Sequence, residues 1–210
     1  MTPPPLFAFY HIWADGEWEE PVEDFVRSVR DSGLDGELTG KFLGLVGTEE
    51  NCIRVLSAMP GGWLPVATAQ EGFTQVTLAA LRTFALCPGC SPDGLVFYGH
   101  NKGALNNTEI NRRWRRSMYR HVFENWRVNV ELLADYDAVG CHWLTQEEFP
   151  QMSFRADLPA PRHFGGEVWA ARLDYVRRLP PLRYDTRWDS EPWIGYCDGM
   201  RPYDLLPGWP

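Results

Sequence analysis

Short, unbroken apolar runs alternate along this chain with segments whose apolar residues recur every three or four positions. Leu6 to Ile12 is the first such run, aromatic and uninterrupted, as a strand buried on both faces should be. A helix is expected next, with Pro21 in its first turn, Val22, Phe25, Val26 and Val29 on one face, and Gly33 ending it. Lys41 to Gly47 reads as a second strand. Thr48 then caps a helix carrying Cys52, Ile53, Leu56 and Met59, stopped by Pro60. Trp63 to Thr68 is a weaker strand placed at a sheet edge, because Pro65 cannot donate to a ladder. Phe73 to Leu86 predicts a helix with Phe73, Val76, Ala80 and Phe84 on one side, and Leu95 to Tyr98 a short strand.

The clearest periodicity follows. Ile110, Trp114, Met118, Val122, Trp126, Val130 and Leu133 predict one long helix, and Asp137 to Cys141 another strand. Strands alternating with helices predict an α/β fold, a mostly parallel sheet flanked by helices. From Leu144 the pattern breaks. A short helix near Trp169 to Leu179 is expected, then an irregular tail from Glu191 laid across the body. The length of 210 residues fits one domain, with residues 1–143 as its α/β half and 144–210 as a C-terminal extension.

Charge and cysteine usage narrow the classes. A net charge of −8 argues against a protein that binds nucleic acid by neutralising phosphates over its whole surface. No apolar run is long enough to span a bilayer, and the start at Met1 lacks a signal-peptide pattern, so a cytoplasmic protein is expected. Five cysteines then read as reduced thiols. Cys87 and Cys90 have redox spacing but follow a helix instead of opening one, which favours a turn with idle thiols. Ten tryptophans either fill a large aromatic core or line a sugar-binding groove.

Ligands in open α/β sheets collect beyond the carboxyl ends of the strands. That rule selects His11, the segment Tyr98 to Gly103, and His142. His100 and Lys102, beside a helix start capped by Asn107 or Thr108, would form an anion site; a polar surface loop is the alternative. No Walker loop or dinucleotide fingerprint is present. The arginines at 112, 113, 115, 116 and 120 read as a solvated helix face, with Arg115 near enough to the first turn to reach a ligand. His163, Gly165, Gly166, Glu167 and Trp169 suit either a sugar contact or a tight turn. Asp189 and Glu191 lie among aromatics, where a carboxyl can act as a base.

Five motifs in one order carry a resemblance: Tyr98 to Gly103 as Y-x-H-x-K-G, Trp114 to Met118, Asp137 to Gly140, His163 to Ala170, and Glu191 to Ile194. Together they resemble a group of GT-A-type glycosyltransferase-like proteins. The resemblance implies a nucleotide-sugar donor, a hydroxyl acceptor on a glycan or protein, and transfer of a hexosyl group between them. It implies donor contacts from Tyr10, His11, Tyr98, Lys102, Gly103 and Arg115, and acceptor or sugar contacts from His163, Gly165, Gly166, Glu167, Trp169, Asp189 and Trp193. Glu191 stands in the place of the catalytic base. Such enzymes commonly use manganese or magnesium held by Asp-x-Asp. Here His100-Asn-Lys102 replaces that motif, and Asp135-Tyr-Asp137 begins a strand instead of ending one. No metal ligand is therefore assigned, and Lys102 with His100 is expected to meet the diphosphate directly. The other reading is a non-catalytic carbohydrate- or nucleotide-binding module of the same fold.

Overall fold

The computed structural model describes residues 3–144, 162–183 and 189–207. In chain order the elements are β1 (Leu6–Trp13), α1 (Glu19–Asp31), α2 (Leu34–Glu37), β2 (Leu38–Val46), α3 (Glu49–Ala58), β3 (Trp63–Ala69) and α4 (Gln75–Leu86). Next come β4 (Leu95–His100), α5 (Glu109–Tyr119), a π-helical turn at Arg120–Glu124, and α6 (Trp126–Leu132). The later elements are β5 (Ala138–Gly140), β6 (Trp143–Leu144), β7 (His163–Phe164), β8 (Trp169–Arg172), α7 (Leu173–Arg178), a 3-10 turn at Glu191–Gly195, and β9 (Pro202–Asp204).

Seven strands form one sheet in the order β3-β2-β1-β4-β8-β5-β9. All neighbours are parallel except at β8, which runs antiparallel between β4 and β5. This is the mostly parallel, helix-flanked α/β arrangement expected, a Rossmann-like domain. β1 is central and buried along nearly its whole length, which explains its unbroken apolar run. Successive side chains point to opposite faces. Ala8, Tyr10 and Ile12 join Val22, Phe25, Val29, Met118, Tyr119 and Phe123 under α1 and α5. Phe7 and Phe9 join Leu78, Leu81, Tyr98, Trp169 and Val176 under α4 and α7. β3 lies at an edge, and the register shifts where Pro65 passes Leu43.

Four expectations change. The helix expected from Trp169 to Leu179 starts as β8, because pairing on both sides with β4 and β5 overrides local propensity, and only Leu173–Arg178 is helical. The single long helix breaks at the π-helical turn, where the Asn129 side chain donates to the carbonyls of His121 and Val122. Its nominal first core residue, Ile110, is 76 % exposed. The buried faces of α3 and α4 are rotated: Val55, Leu78, Leu81 and Ala85 point inward while Ile53 and Phe73 are exposed. The tail is not wholly irregular, since β9 adds a strand beside β5. No helix among the described residues is long and apolar enough to cross a membrane.

Candidate functional site

β1 and β4 lie side by side and in register up to His11 opposite His100. Beyond them the chain is clamped. The Asn101 side chain accepts from the Trp13 backbone N–H at 3.0 Å and donates to the Trp13 carbonyl at 3.0 Å, so one amide ties both strand ends together. The Lys102 carbonyl accepts from Arg115 Nη1 at 3.0 Å, and the backbone then turns at Gly103, φ +93°. Thr108 caps α5 by accepting from the Asn111 backbone N–H.

The antiparallel entry of β8 brings a second segment to the same place. Trp169 pairs with Tyr98, so the residues preceding it lie beside the end of β4. His100 Nε2 is 3.0 Å from the Gly166 carbonyl and, facing an acceptor, is the donor. Gly166 takes φ +82°, and a Cβ there would stand 2.7 Å from Met118 Sδ. From the other side, the Thr74 hydroxyl at the head of α4 bonds the Ser190 hydroxyl at 2.7 Å. Between these segments opens a cleft of about 600 Å³, lined among others by His11, Trp13, His100, Lys102, Trp114, Glu167 and Glu191. That size suits a small-molecule ligand.

Its charges are unevenly solvated. His11 bonds the Thr77 hydroxyl at 2.7 Å, and burial pulls its pKa down to about 3, so the ring is neutral. Lys102 Nζ sits 3.9 Å above the Trp114 ring, an orientation that holds an ammonium in place. Glu167 is 3 % exposed, and burial raises its pKa well above the usual carboxyl value, with the charge of Glu191 pushing the same way. The hydroxyls of Thr74 and Ser190 bond this carboxyl and Lys102 attracts it, both opposing the rise.

Of the residues singled out from the sequence, the cleft gathers His11, His100, Lys102, Gly103, Glu167 and Glu191, with Gly166 bonded behind. Others are corrected. Tyr10 is a core residue stacked on Phe25 at 3.7 Å, with its hydroxyl 2.7 Å from that of Tyr119. Tyr98 is fully buried and stacks on Trp169, so neither ring is a ligand contact. Arg115 is 0 % exposed and engaged by Asp24, Glu20 and Asn107; it shapes the loop and cannot reach a ligand. His163 is buried in β7, Gly165 packs toward Leu144 and His142, and buried Trp193 donates to the Pro180 carbonyl. Asp189 is partly exposed and outside the lining.

Trp13, Thr74, Asn111 and Ser190 also line the cleft and carried no distinguishing signal in the sequence, and Asn101 lines it from within the selected segment Tyr98 to Gly103. Asp137 stands at the start of β5, away from the cleft, accepting from the Arg201 backbone N–H and paired with Arg178. Among the described residues no group of three or more His, Cys, Asp and Glu side chains is placed to hold a metal ion. The His100-Asn-Lys102 segment offers an ammonium where a hard cation would need carboxylates. Cys87 is exposed, whereas Cys90 is buried and its thiol pKa is raised by that burial.

A family model described as a domain of unknown function, DUF8361, matches residues 65–200. Among solved structures, 4-diphosphocytidyl-2C-methyl-D-erythritol synthase from Anaerococcus prevotii DSM 20548 is similar at 10 % identity and TM-score 0.54, covering 99 % of this chain and 90 % of that one. A second 4-diphosphocytidyl-2C-methyl-D-erythritol synthase gives 11 % identity, TM-score 0.51 and coverage of 99 % and 89 %. Glucosyl-3-phosphoglycerate synthase from Mycobacterium tuberculosis, solved with Mn2+, UDP and phosphoglyceric acid, is a looser likeness on which no argument rests: 16 % identity, TM-score 0.44, coverage 84 % and 58 %. No curated protein matches the sequence. At such identities the likeness is one of fold alone.

Proposed function

This chain belongs to the DUF8361 family, and we propose that its cleft is the active site of a glycosyltransferase that uses a nucleotide-sugar donor without a bound metal. One observation supports the reading: the cleft at the carboxyl ends of β1 and β4 is lined by Lys102 and His100 and also by Glu191. A transferase of this kind needs positive charge where a diphosphate leaves and a base where a hydroxyl attacks.

In the proposed reaction Glu191 takes the proton of an acceptor hydroxyl as its oxygen bonds to the anomeric carbon. The bond from that carbon to the diphosphate oxygen breaks, and its electron pair departs with the nucleoside diphosphate. Lys102, already oriented over Trp114, meets the new charge. His100, fixed by the Gly166 carbonyl, supports the same side of the cleft. His11 remains neutral and serves as a polar wall. The acceptor, a glycan or a protein hydroxyl, would enter past Phe73 and Leu105 at the mouth.

Thermal-shift and transfer assays with a panel of UDP, GDP and dTDP sugars, with manganese or with EDTA, test this. The expected result is stabilisation by one nucleotide sugar, unchanged by chelation. Lys102→Ala should weaken its binding about tenfold or more, the scale of a lost charge-assisted contact. Glu191→Gln should leave binding intact and slow transfer by about 10²- to 10⁴-fold. Transfer that survives both substitutions, or that requires manganese, overturns the assignment. Donor binding by the wild-type protein without any transfer would make the chain the non-catalytic module instead.

A further inference from the structure

Glu167 is held where it stands against two opposing costs. Its φ is +55°, a left-handed conformation that a residue bearing a Cβ adopts only under constraint. Its carboxyl is also withdrawn from water, with 3 % of the residue exposed, and Oε1 has no hydrogen-bond partner among the described residues. A glycine here would relieve the backbone, and an asparagine would avoid burying an ionisable group. Strained backbone and an orphaned buried polar atom cluster at places where a ligand completes the structure. Glu167 lines the cleft.

The neighbours fix which part of a ligand it would meet. Its carboxyl is within electrostatic reach of both Lys102 and Glu191. With Lys102 at the leaving diphosphate and Glu191 at the attacking hydroxyl, the transferred sugar must lie between them. Resting on the donor reading of the cleft, we propose that Glu167 selects the donor by giving a hydrogen bond from its carboxyl to a hydroxyl of that sugar.

The protonation state fits the role. The groups facing this carboxyl are Glu191 from the 3-10 turn, Lys102 from the loop after β4, Tyr98 from β4, and the hydroxyls of Thr74 and Ser190. Burial and Glu191 outweigh Lys102 and the two hydroxyls, so the acid stays neutral well above the pH at which carboxyls ordinarily ionise. A neutral acid both donates and accepts, as a sugar hydroxyl does. It also adds no negative charge beside a dianionic diphosphate, whereas an ionised Glu167 would repel the donor it helps to hold. Affinity for the nucleotide sugar should therefore fall as the pH rises and this group ionises.

Isothermal titration with UDP-glucose against UDP, and GDP-mannose against GDP, on wild-type, E167Q and E167A proteins tests the proposal. Melting curves first establish that each variant is folded. In E167A the nucleotide sugar that binds should lose about fivefold to tenfold in affinity, the scale of one hydrogen bond, while the bare nucleoside diphosphate stays within about twofold. E167Q, whose amide still donates, should remain within about threefold of wild type and lose the fall with rising pH. Unchanged sugar binding in E167A overturns the proposal and leaves the donor reading standing. A loss in E167Q as large as in E167A also overturns it, because the ligand would then need the ionised carboxylate. If neither nucleotide nor nucleotide sugar binds the folded wild-type protein, the donor reading fails and this proposal falls with it.

Discussion

At the scale of single residues, His11 and Glu167 titrate in opposite senses, and pH separates them. His11 is neutral in the folded protein down to about pH 3, against 6.5 when exposed. The unfolded chain therefore binds its proton first. The stability that neutral His11 contributes is complete above pH 6.5 and is lost as the pH falls from there toward 3. Its share of the slope approaches about 1.4 kcal/mol per pH unit within that window. His11→Asn should lose less stability than wild type between pH 7 and 4.5 in urea titrations. Glu167 has the reverse sign. Its pKa is raised from 4.5, so its contribution is present below that value and is lost as the pH rises above it. E167Q should gain on wild type as the pH climbs from 4.5.

The contact between His11 and Thr77 also depends on what is missing opposite it. A Cβ on Gly44 would stand 1.8 Å from the Thr77 hydroxyl, so this strand residue must be glycine for Thr77 to reach the ring. Gly44→Ala should cost about 1–3 kcal/mol by overpacking, measured by denaturation. The strand-end rule made His11, His100 and Lys102 legible as cleft residues from the sequence alone. Tyr10 was not separable from His11, because alternation along a strand states that two faces exist without saying which one meets a helix; Tyr98 shares the face of His100 and is buried because it lies two residues deeper in the sheet.

At the scale of elements, charge patterning on α5 concealed one buried arginine among exposed ones. Arg113 and Arg116 are exposed, whereas Arg115 is enclosed and bonds Asp24 of α1 at 2.6 Å. The partner lies 91 residues away, so no local pattern could expose the pair. Removing one member of a buried ion pair leaves the other uncompensated, at about 3–5 kcal/mol. Arg115→Met should show a loss of that size, although Asp24 retains Arg116 and the discount for that contact will place it at the lower end. The Asp24→Asn, Arg115→Met double variant should lose less than the sum of the single changes, since one interaction is being removed twice. β8 was hidden for a related reason. Four residues, two of them alanine, carry no strand signal of their own; pairing with β4 and β5 makes them a strand.

At the scale of the whole molecule, the cleft is a product of mixed strand direction. Parallel strands deliver residues to the cleft from their carboxyl ends, as His11 and His100 show. An antiparallel strand delivers the residues before its amino end, and that is how Gly166 and Glu167 arrive beside His100. The fold class follows from the alternating pattern of the first 140 residues, but this junction depends on a strand order that a sequence does not display. The last strand shows what the order requires at its edge. Asp204 on β9 accepts from the backbone N–H groups of His142 and Trp143, each at 2.9 Å, and so caps the exit from β5. Asp204→Ala should cost about 2–3 kcal/mol, the scale of hydrogen bonds to a charged group. It should also expose Cys141, a thiol that is fully buried and pushed up to about 12. Faster alkylation of Cys141 in the variant, read by peptide mass spectrometry, would show that β9 seals this side of the sheet. An unchanged rate would mean that β5 is held by β8 alone and that β9 is an ornament on the edge.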